Sequence, residues 1–151
     1  MVNDCVSSSL RLAGIPNIKE PQNTQYQNNV RPDGISLIPF QSGKCLAWDV
    51  SCPHPICASH AQINTTPGSA ASAVEAQKEN KYSCLTDQYL FAPIIIDTIG
   101  AYGAKTETTI QKISKLLVAK TGNTRSGQNF RERLSIAVQK GNHLTFNFSI
   151  Q

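Results

Sequence analysis

The alternation of apolar and polar residues predicts a helix, a short strand, a β-hairpin, a helix, a strand and two further helices. Residues 4–12 are predicted as a short helix that Gly14 and Pro16 bring to an end. A brief strand is predicted at 17–20, and the Gln- and Asn-rich stretch 21–31 is predicted as a polar loop. At 151 residues, the chain is predicted to form one α/β domain with helices packed on a small mixed sheet.

The middle of the chain predicts a loop, a helix and a buried strand. Residues 51–68 contain three prolines and are predicted as a long loop. The Ala-rich stretch from about Ser69 to Leu85 predicts a helix, with Ser69 as its N-cap. From Tyr89, the sequence YLFAPIIIDTIG has the β-branched density of a strand that is buried on both faces.

Two helices are predicted in the last third of the chain from apolar residues at helical spacing. The stripes are Ile110, Ile113 and Leu117 in the first helix, and Phe130, Leu134 and Ala137 in the second. Gly141 is predicted to close the second helix, and residues 141–151 are expected to be a C-terminal tail or an edge strand, because LTFNFSI alternates apolar and polar positions.

Residues 31–50 predict a β-hairpin that sets two carboxylates opposite each other. If Ile38 pairs with Lys44, the residues PFQSG form the turn. Asp33 then lies opposite Asp49 on the same face of the hairpin. Residues directly opposite each other have Cβ atoms about 4.5–5.5 Å apart, at which two carboxylates can share one cation. A slip of one residue would send them to opposite faces, so the expectation depends on this register.

Composition and targeting signals narrow the compartment. No apolar run approaches the roughly 20 residues that a transmembrane helix needs, and the N-terminal residues lack the basic and apolar regions of a secretory signal. Five cysteines, an odd number without framework spacing, favour a reducing compartment. We therefore expect an intracellular protein, nuclear or cytoplasmic and not secreted, without a membrane partner.

The net charge of +4 is unevenly distributed, which suggests DNA as a partner. Residues 1–100 hold 6 Lys and Arg against 8 Asp and Glu, whereas residues 101–151 hold 8 against 2. A basic half of this kind suits a polyanion such as nucleic acid, although basic helices are often only solvated faces. The candidate phosphate-binding residues are Arg31, Lys112, Lys115, Lys120, Arg125, Arg131, Arg133 and Lys140.

Two acids and a lysine close together can hydrolyse a phosphodiester. Carboxylates of Asp33 and Asp49 are suitable ligands for Mg²⁺ or Mn²⁺, which polarises a phosphate and lowers the pKa of a bound water. A lysine ammonium can offset the charge that develops in the transition state. Lys78 and Lys81 lie three residues apart on the predicted helix, so either could extend over the hairpin. The alternative is a solvated helix face in which Glu75 pairs with Lys78.

Several runs of sequence, in order, resemble a known family of nucleases. RPDGISLIP, LAWDVSCP, GSAASAVEAQKENKY and YLFAPIIIDTIGAYG resemble the restriction-endonuclease-like domain of site-specific non-LTR retrotransposons and related metazoan retroelement-derived sequences, a branch of the PD-(D/E)xK nucleases. The similarity covers roughly residues 8–140. It implies a single endonuclease-like domain over 1–151, a restriction-endonuclease-like core with two extra C-terminal helices, and DNA nicking. It also implies a reverse transcriptase domain upstream in the parent element, of which this chain would be a fragment or remnant.

The resemblance assigns roles by position. Asp33 matches the aspartate of the PD motif, and Asp49 matches the second acid, on the neighbouring strand. Lys78 and Lys81 match lysines that, in this branch, have moved from the strand to the following helix. A plain member of the superfamily has lysine two residues after the second acid, where this chain has Ser51.

Other interpretations remain open at the level of sequence. An additional family acid could correspond to Asp4 or Glu20. A catalytically inactive DNA-binding remnant would use the same basic surface without cutting DNA. A zinc-knuckle interaction protein is the third alternative, and its candidate ligands are Cys52, His54, Cys57 and His60. Their spacing is tighter than that of the usual paired zinc ligands.

Overall fold

The chain folds into helices and a mixed β-sheet. The structure is a computed structural model that describes residues 1–22, 30–55 and 66–150. Within these ranges the elements are α1 (Val2–Leu12), β1 (Asn17–Lys19), β2 (Gly34–Gln41), β3 (Lys44–Ser51), α2 (Ser69–Lys81), β4 (Tyr89–Ile95), α3 (Ala104–Thr121) and α4 (Ser126–Ile150). The predicted α/β class and the predicted order of elements are confirmed.

The four strands lie side by side in the order β1-β2-β3-β4. β1 and β2 pair antiparallel, and so do β2 and β3. β3 and β4 are parallel, and Asp49 is the register partner of Pro93. Parallel strands end at the same edge of a sheet, so the chain leaves β3 and β4 from one edge. Asp49 lies near this edge.

The two faces of the sheet differ in what covers them. One face packs against α1, α3 and α4 in a large apolar core, to which the strands contribute Leu46, Trp48 and Ile94. The other face packs against α2 and the residues that follow it, through two smaller clusters. Because successive strand residues point to opposite faces, Trp48 belongs to the large core while Asp49 faces α2.

The helical stripes predicted for α3 and α4 are confirmed. Their six apolar residues are all buried in the large core: Ile110, Ile113, Leu117, Phe130, Leu134 and Ala137. The strand predicted from Tyr89 is also present, and its second half is buried on both faces. No helix within the described ranges is both long enough and apolar enough to cross a membrane.

The hairpin turn differs from the prediction, although the register at its base does not. Gln41 pairs with Lys44, so the turn is the two residues Ser42 and Gly43, and the predicted pairing of Ile38 with Lys44 is wrong. Between the turn and the far end of the hairpin, β2 contains three more residues than the facing part of β3, so the pairing along β2 is irregular. At that far end, the base of the hairpin, Gly34 pairs with Trp48. This is the register that the sequence predicted for Asp33 and Asp49.

The irregularity in β2 has a local chemical cause. The hydroxyl of Ser36 accepts a hydrogen bond from the Leu46 N–H at 2.8 Å and donates one to the Ile38 carbonyl at 2.7 Å. A side chain thus takes the place of a backbone group in the ladder. Pro39 has no N–H to donate. Neither effect is visible in the apolar pattern, which assumes a regular ladder.

Helix α4 is longer than predicted. Gly141 does not close it, and residues 144–150 form neither a tail nor an edge strand, because the helix runs on to Ile150. The hydroxyls of Thr145 and Ser149 donate to the carbonyls four residues earlier, at 3.0 and 2.9 Å, within the helix. The Asn142 side-chain amide donates to the Thr98 carbonyl at 2.7 Å and attaches this part of α4 to the segment after β4.

The boundaries around α2 also need correction. The N-cap position is Gly68, with φ of 84°, and not Ser69. The α-helix ends at Lys81, and a 3₁₀ turn at Ser83–Leu85 follows. The predicted loops at 21–31 and 51–68 are described only in part, since residues 23–29 and 56–65 lie outside the described ranges.

Replacement of Gly141 by alanine should stabilise the protein. A Cβ at this position would meet no atom within 4 Å outside its own helix, and alanine is favoured over glycine in a helix interior by about 1 kcal/mol. We expect the free energy of unfolding in urea to rise by roughly that amount. A destabilised Gly141→Ala variant would contradict a helix that continues through this position.

An ion pair joins α3 to α4. The guanidinium of Arg131 donates two hydrogen bonds to the carboxylate of Glu107, at 2.6 and 3.1 Å. Its Cζ also lies 5.7 Å from the centre of the Tyr102 ring. The hydrogen bond from Arg131 lowers the pKa of Glu107, and partial burial of the carboxylate opposes this.

Glu107→Gln should destabilise the protein in a pH-dependent way. The folded pKa of Glu107 is lowered, so its contribution is fully present above the unfolded value of about 4.3 and is lost as the pH falls through the folded value. Both side chains are about one-third exposed, so solvent screens the ion pair. We therefore expect the substitution to lower the free energy of unfolding at neutral pH by no more than about 1 kcal/mol.

Urea unfolding of Glu107→Gln and the parent protein between neutral and acid pH would measure this difference. The exposed Glu132→Gln on α4 is the control and should show little change at any pH. A difference for Glu107→Gln that persists undiminished at acid pH would contradict the ion-pair explanation.

Candidate active site

Asp33 lies directly before β2 and is fixed by three backbone contacts. Its N–H donates to the Trp48 carbonyl at 2.9 Å, and its carbonyl accepts from the Glu20 N–H at 2.8 Å. Its side-chain Oδ2 accepts a hydrogen bond from the Val50 N–H at 2.7 Å. The carboxylate is therefore held against β3 beside Asp49.

The pKa of the Asp33 carboxyl is raised by its surroundings in the fold. Burial is the main cause, and the hydrogen bond from the Val50 N–H acts in the opposite direction. The negative charge of Asp49 raises the pKa further, whereas the ammonium of Lys78 lowers it. The three ionisable groups are thus close enough to influence one another.

Asp49 is buried, with only 5% of its surface exposed. Its Oδ1 lies 2.8 Å from the hydroxyl of Tyr82, and its Oδ2 lies 2.7 Å from the ammonium of Lys78. The Lys78 contact is an ion pair. Within the described ranges, Oδ2 has no other hydrogen-bonding partner.

Tyr82, directly after α2, supplies the second contact to Asp49. Its hydroxyl lies 2.8 Å from both Oδ1 of Asp49 and the carbonyl of Arg31. The hydroxyl has one proton, so the two acceptors share it. Burial raises the pKa of Tyr82, and its hydrogen bond to Asp49 and the nearby negative charges raise it further. Tyr82 therefore remains a donor at neutral pH.

The two lysines of α2 occupy different environments. Lys78 reaches Asp49, whereas Lys81 is exposed and has its ammonium 5.3 Å from the centre of the Tyr82 ring. The structure therefore brings Lys78, but not Lys81, into contact with a predicted acid. Glu75 does not pair with Lys78 on a solvated face, because its buried carboxylate accepts from the backbone of Lys105 and Thr106 at the start of α3.

Gly34 and Asn3 support the site from the opposite face of the sheet. The ring of Trp48 covers Gly34 so closely that a Cβ there would lie 2.0 Å from the ring. The indole N–H of Trp48 donates to Oδ1 of Asn3 at 2.8 Å, and the Asn3 amide donates to the Asp33 carbonyl at 3.2 Å. One side chain of α1 thus holds both Trp48 and the backbone of Asp33.

The sequence did not identify Asn3 or assign a contact to Tyr82. A buried tryptophan usually needs an acceptor for its N–H, which is a signal that some polar partner exists. Asn3 precedes Trp48 by 45 residues, so no spacing rule connects the two residues. The position of Tyr82 immediately after the lysine-bearing helix was the only local indication of its role.

An open cleft of about 1090 Å³ adjoins Asp33. Its lining includes Asp33 and Glu20 on one side and Asn142 and Phe146 of α4 on the other. Phe146 is 65% exposed. The extension of α4 beyond Gly141 therefore forms a wall of this cleft and gives it an aromatic side chain.

Within the described ranges, neither candidate for an additional acid forms a side-chain hydrogen bond with the two aspartates, although the backbone N–H of Glu20 donates to the Asp33 carbonyl. Asp4 is exposed on α1 and pairs with Lys19 and the N-terminal amine. Glu20 has a φ of 47°, and its negative charge contributes to the raised pKa of Asp33. In the described part of the chain, no group of three or more His, Cys, Asp or Glu residues could hold a metal ion.

Several of the predicted phosphate-binding residues already have partners within the fold. Arg131 binds Glu107, Arg133 donates to the Ser8 hydroxyl at 2.7 Å, and the Lys120 stem packs over Gly14. Arg31 donates to the carbonyl of Glu20 at 2.8 Å. Three others are exposed on the two C-terminal helices or the turn between them: Lys115, Arg125 and Lys140.

Lys112 lies far from the aspartates. Its ammonium donates to the Gln41 side chain at 2.6 Å, at the tip of the hairpin. Gly34 lies at the other end of β2, roughly 20 Å away for an extended strand of this length. Lys112 is therefore not part of a basic surface around the aspartates.

The candidate zinc ligands can be placed only in part. Cys52 and His54 follow β3 and line the cleft beside Asp33. Cys57 and His60 lie outside the described ranges. The zinc-knuckle interpretation therefore stays a prediction.

Gly34→Ala should disturb the site through packing. The added Cβ would lie 2.0 Å from the Trp48 ring, so either the ring or the start of β2 must move. Overpacking in a core typically costs about 1–3 kcal/mol, and we expect a loss in this range or above it, measured by urea unfolding. Gly141→Ala is the matched control, since its Cβ meets open space. An unchanged stability for Gly34→Ala would contradict the close approach of Trp48.

No protein-family model and no curated protein matches the chain. The contacts of Asp33, Asp49 and Lys78 are therefore the basis on which a function is proposed. These residues come from three separate segments of the sequence and meet at one end of the β-hairpin.

Proposed function

We propose that this protein is a metal-dependent DNA endonuclease with a restriction-endonuclease-like core, derived from a non-LTR retrotransposon. Asp33 and Asp49 would hold Mg²⁺ or Mn²⁺, and Lys78 would act on the phosphate. The observation that carries the proposal is the 2.7 Å contact between Lys78 and the buried Asp49, beside Asp33. An ion pair is costly to bury, so its position at the hairpin base favours a chemical role.

The donor atoms suit a hard divalent cation. Oδ2 of Asp49 is buried and contacts the Lys78 ammonium, and Oδ2 of Asp33 accepts a backbone N–H. Carboxylate oxygens are preferred ligands of Mg²⁺, which usually also keeps several waters. When bound, such a cation would polarise the scissile phosphate and lower the pKa of a water.

The residues around the carboxylates would orient them for this task. The Val50 N–H fixes one oxygen of Asp33, and the Tyr82 hydroxyl fixes one oxygen of Asp49. The other oxygen of Asp49, Oδ2, faces the ammonium of Lys78. Lys78 would place positive charge where negative charge develops during phosphodiester cleavage.

The cleft beside Asp33 offers a route for DNA. It is open to solvent and contains the exposed Phe146, on which a base could stack. Arg31 and the exposed Lys115, Arg125 and Lys140 are the remaining candidates for phosphate contacts, which position DNA without reading its sequence. In the parent element, a reverse transcriptase domain upstream would complete the machinery.

A catalytically inactive DNA-binding remnant is the second candidate. Within the described ranges, no group of three or more His, Cys, Asp or Glu residues could hold a metal ion, so Asp33 and Asp49 have no third protein ligand of these types. Such a protein would bind DNA with an affinity that falls steeply with salt, because phosphate contacts release counterions. It would not cut DNA with or without metal.

Nicking of supercoiled plasmid tests the proposal. The full chain should nick plasmid in Mg²⁺ and not in EDTA. Asp33→Asn, Asp49→Asn and Lys78→Gln should each lower the rate by about 100-fold or more, since loss of one electrostatic group in an active site typically costs about 10²–10³. Lys81→Gln is the comparison that separates the two lysines, and it should stay within about twofold, as exposed charges contribute little.

Circular dichroism of each variant would establish that it is folded. Full activity in Asp33→Asn or Asp49→Asn would refute the assigned metal ligands. Salt-dependent plasmid binding by the parent, with no cleavage in Mg²⁺ or Mn²⁺, would instead support the inactive remnant.

A further inference from the structure

Lys78 occupies the position at which a divalent cation would bind Asp49. Its ammonium lies 2.7 Å from Oδ2 of Asp49, and the other oxygen, Oδ1, is engaged by the Tyr82 hydroxyl. Apart from that ammonium, Oδ2 has no hydrogen-bonding partner in the described part of the chain. The ion pair and the proposed metal site therefore use one and the same atom.

Two cations on this atom would repel each other strongly. Mg²⁺ binds carboxylate oxygen at about 2.0–2.1 Å, which would bring it close to an ammonium already in contact with Oδ2. The side chain of Asp49 is only 7% exposed, so water and salt screen the repulsion far less than they would at the surface. One cation must leave when the other binds.

Lysine is suited to leave, because its side chain has room and freedom. The Lys78 side chain is 23% exposed, and a four-carbon stem allows the ammonium to swing without movement of the helix. Without a metal, removal of the lysine would leave a buried carboxylate without a compensating charge, which is strongly unfavourable. The ion pair therefore favours Lys78 beside Asp49 in the metal-free protein, and the partial exposure of the side chain allows the ammonium to move into solvent when a metal binds.

We propose that Lys78 is the counter-ion of Asp49 in the metal-free protein and that a divalent cation displaces it from Oδ2. The same lysine then weakens metal binding and becomes available to the phosphate only after the metal is in place. This inference rests on the proposed function for the identity of the metal ligands. It adds an order of events, in which the metal binds before the lysine can act.

The competition predicts opposite effects of one substitution. Lys78→Gln removes the competing charge, so it should bind metal more tightly while it nicks DNA more slowly. If Lys78 had a purely structural role, its replacement would lower the metal affinity and the nicking rate together. Lys81 lies one turn further along and is exposed, so Lys81→Gln removes an equal charge without removing the contact.

Titration calorimetry with Mn²⁺ would measure the affinity of the full chain without DNA. The titration would be run at about pH 8, well above the pKa of about 4 of a free aspartic acid side chain. We expect Lys78→Gln to bind Mn²⁺ about tenfold more tightly than the parent, a change of about 1.4 kcal/mol. Lys81→Gln should match the parent, and Asp49→Asn should bind much more weakly.

The outcomes separate this inference from the proposed function. Equal or weaker Mn²⁺ binding by Lys78→Gln, in a parent that binds Mn²⁺, would overturn the competition and leave the metal site intact. No binding by the parent or by Lys78→Gln would overturn both. Tighter binding by Lys78→Gln together with equally tighter binding by Lys81→Gln would also overturn it, since the effect would then be one of general charge.

The parent protein provides a second measurement that needs no variant. Acylation of lysine amines, mapped by mass spectrometry, should modify Lys78 severalfold faster in saturating Mn²⁺, because the displaced ammonium becomes accessible. Lys81 is an internal control and should react at the same rate with and without Mn²⁺. An unchanged or slower rate at Lys78 under saturation would overturn the displacement even if Lys78→Gln failed to fold.

Discussion

The burial of Asp49 between the sheet and α2 is the constraint on which the rest of this structure depends. An ionised carboxylate is costly to bury unless it is paired and hydrogen-bonded. Lys78 supplies the charge and Tyr82 the hydrogen bond, both from the C-terminal end of α2 and the residue that follows it. These polar contacts therefore act at the end of this helix together with apolar packing, in which Tyr82 also takes part.

The sheet separates the chemistry from most of the apolar packing. Trp48 and Asp49 are adjacent in β3 but point to opposite faces, so one extends the large core and the other reaches α2. Gly34 makes room for the Trp48 ring, and Asn3 ties that ring to the backbone of Asp33. The rigid face of the sheet thus positions Asp33 and Asp49, whose carboxylates lie on the other face or at its edge.

An element could be predicted from the sequence where burial determines its pattern of apolar and polar residues, and not where other contacts determine its structure. The stripes of α3 and α4 could be predicted because their residues are buried at helical spacing. The base of the hairpin was predicted correctly and its turn was not, because the Ser36 hydroxyl enters the ladder. Residues 144–148 alternate as a strand would, but the apolar side chains of Leu144, Phe146 and Phe148 are exposed, so the alternation carried no information about the helix.

Within the site, the sequence could name the acids but could not choose between the lysines. Lys78 and Lys81 are equivalent by helical spacing, and only the angle at which α2 crosses β3 decides which one reaches Asp49. That angle depends in turn on Tyr82 and on the contact of Glu75 with the start of α3, which are long-range contacts. The basic half of the chain was overestimated for a related reason, since charge counting cannot show that Arg131 is used to join α3 to α4.

The charge balance of the site explains why two acids can lie so close together. One ammonium faces two carboxylates, so one negative charge is left without an equal partner, and Asp33 makes no ion pair in the described part of the chain. Burial, and after it the charge of Asp49, raises the pKa of Asp33. The protein tolerates this because Asp33 is only half-buried and opens onto the cleft. The carboxylate without an ion-pair partner, that of Asp33, therefore lies where a cation can enter from solvent. The carboxylate of Asp49, which is paired with Lys78, lies under α2.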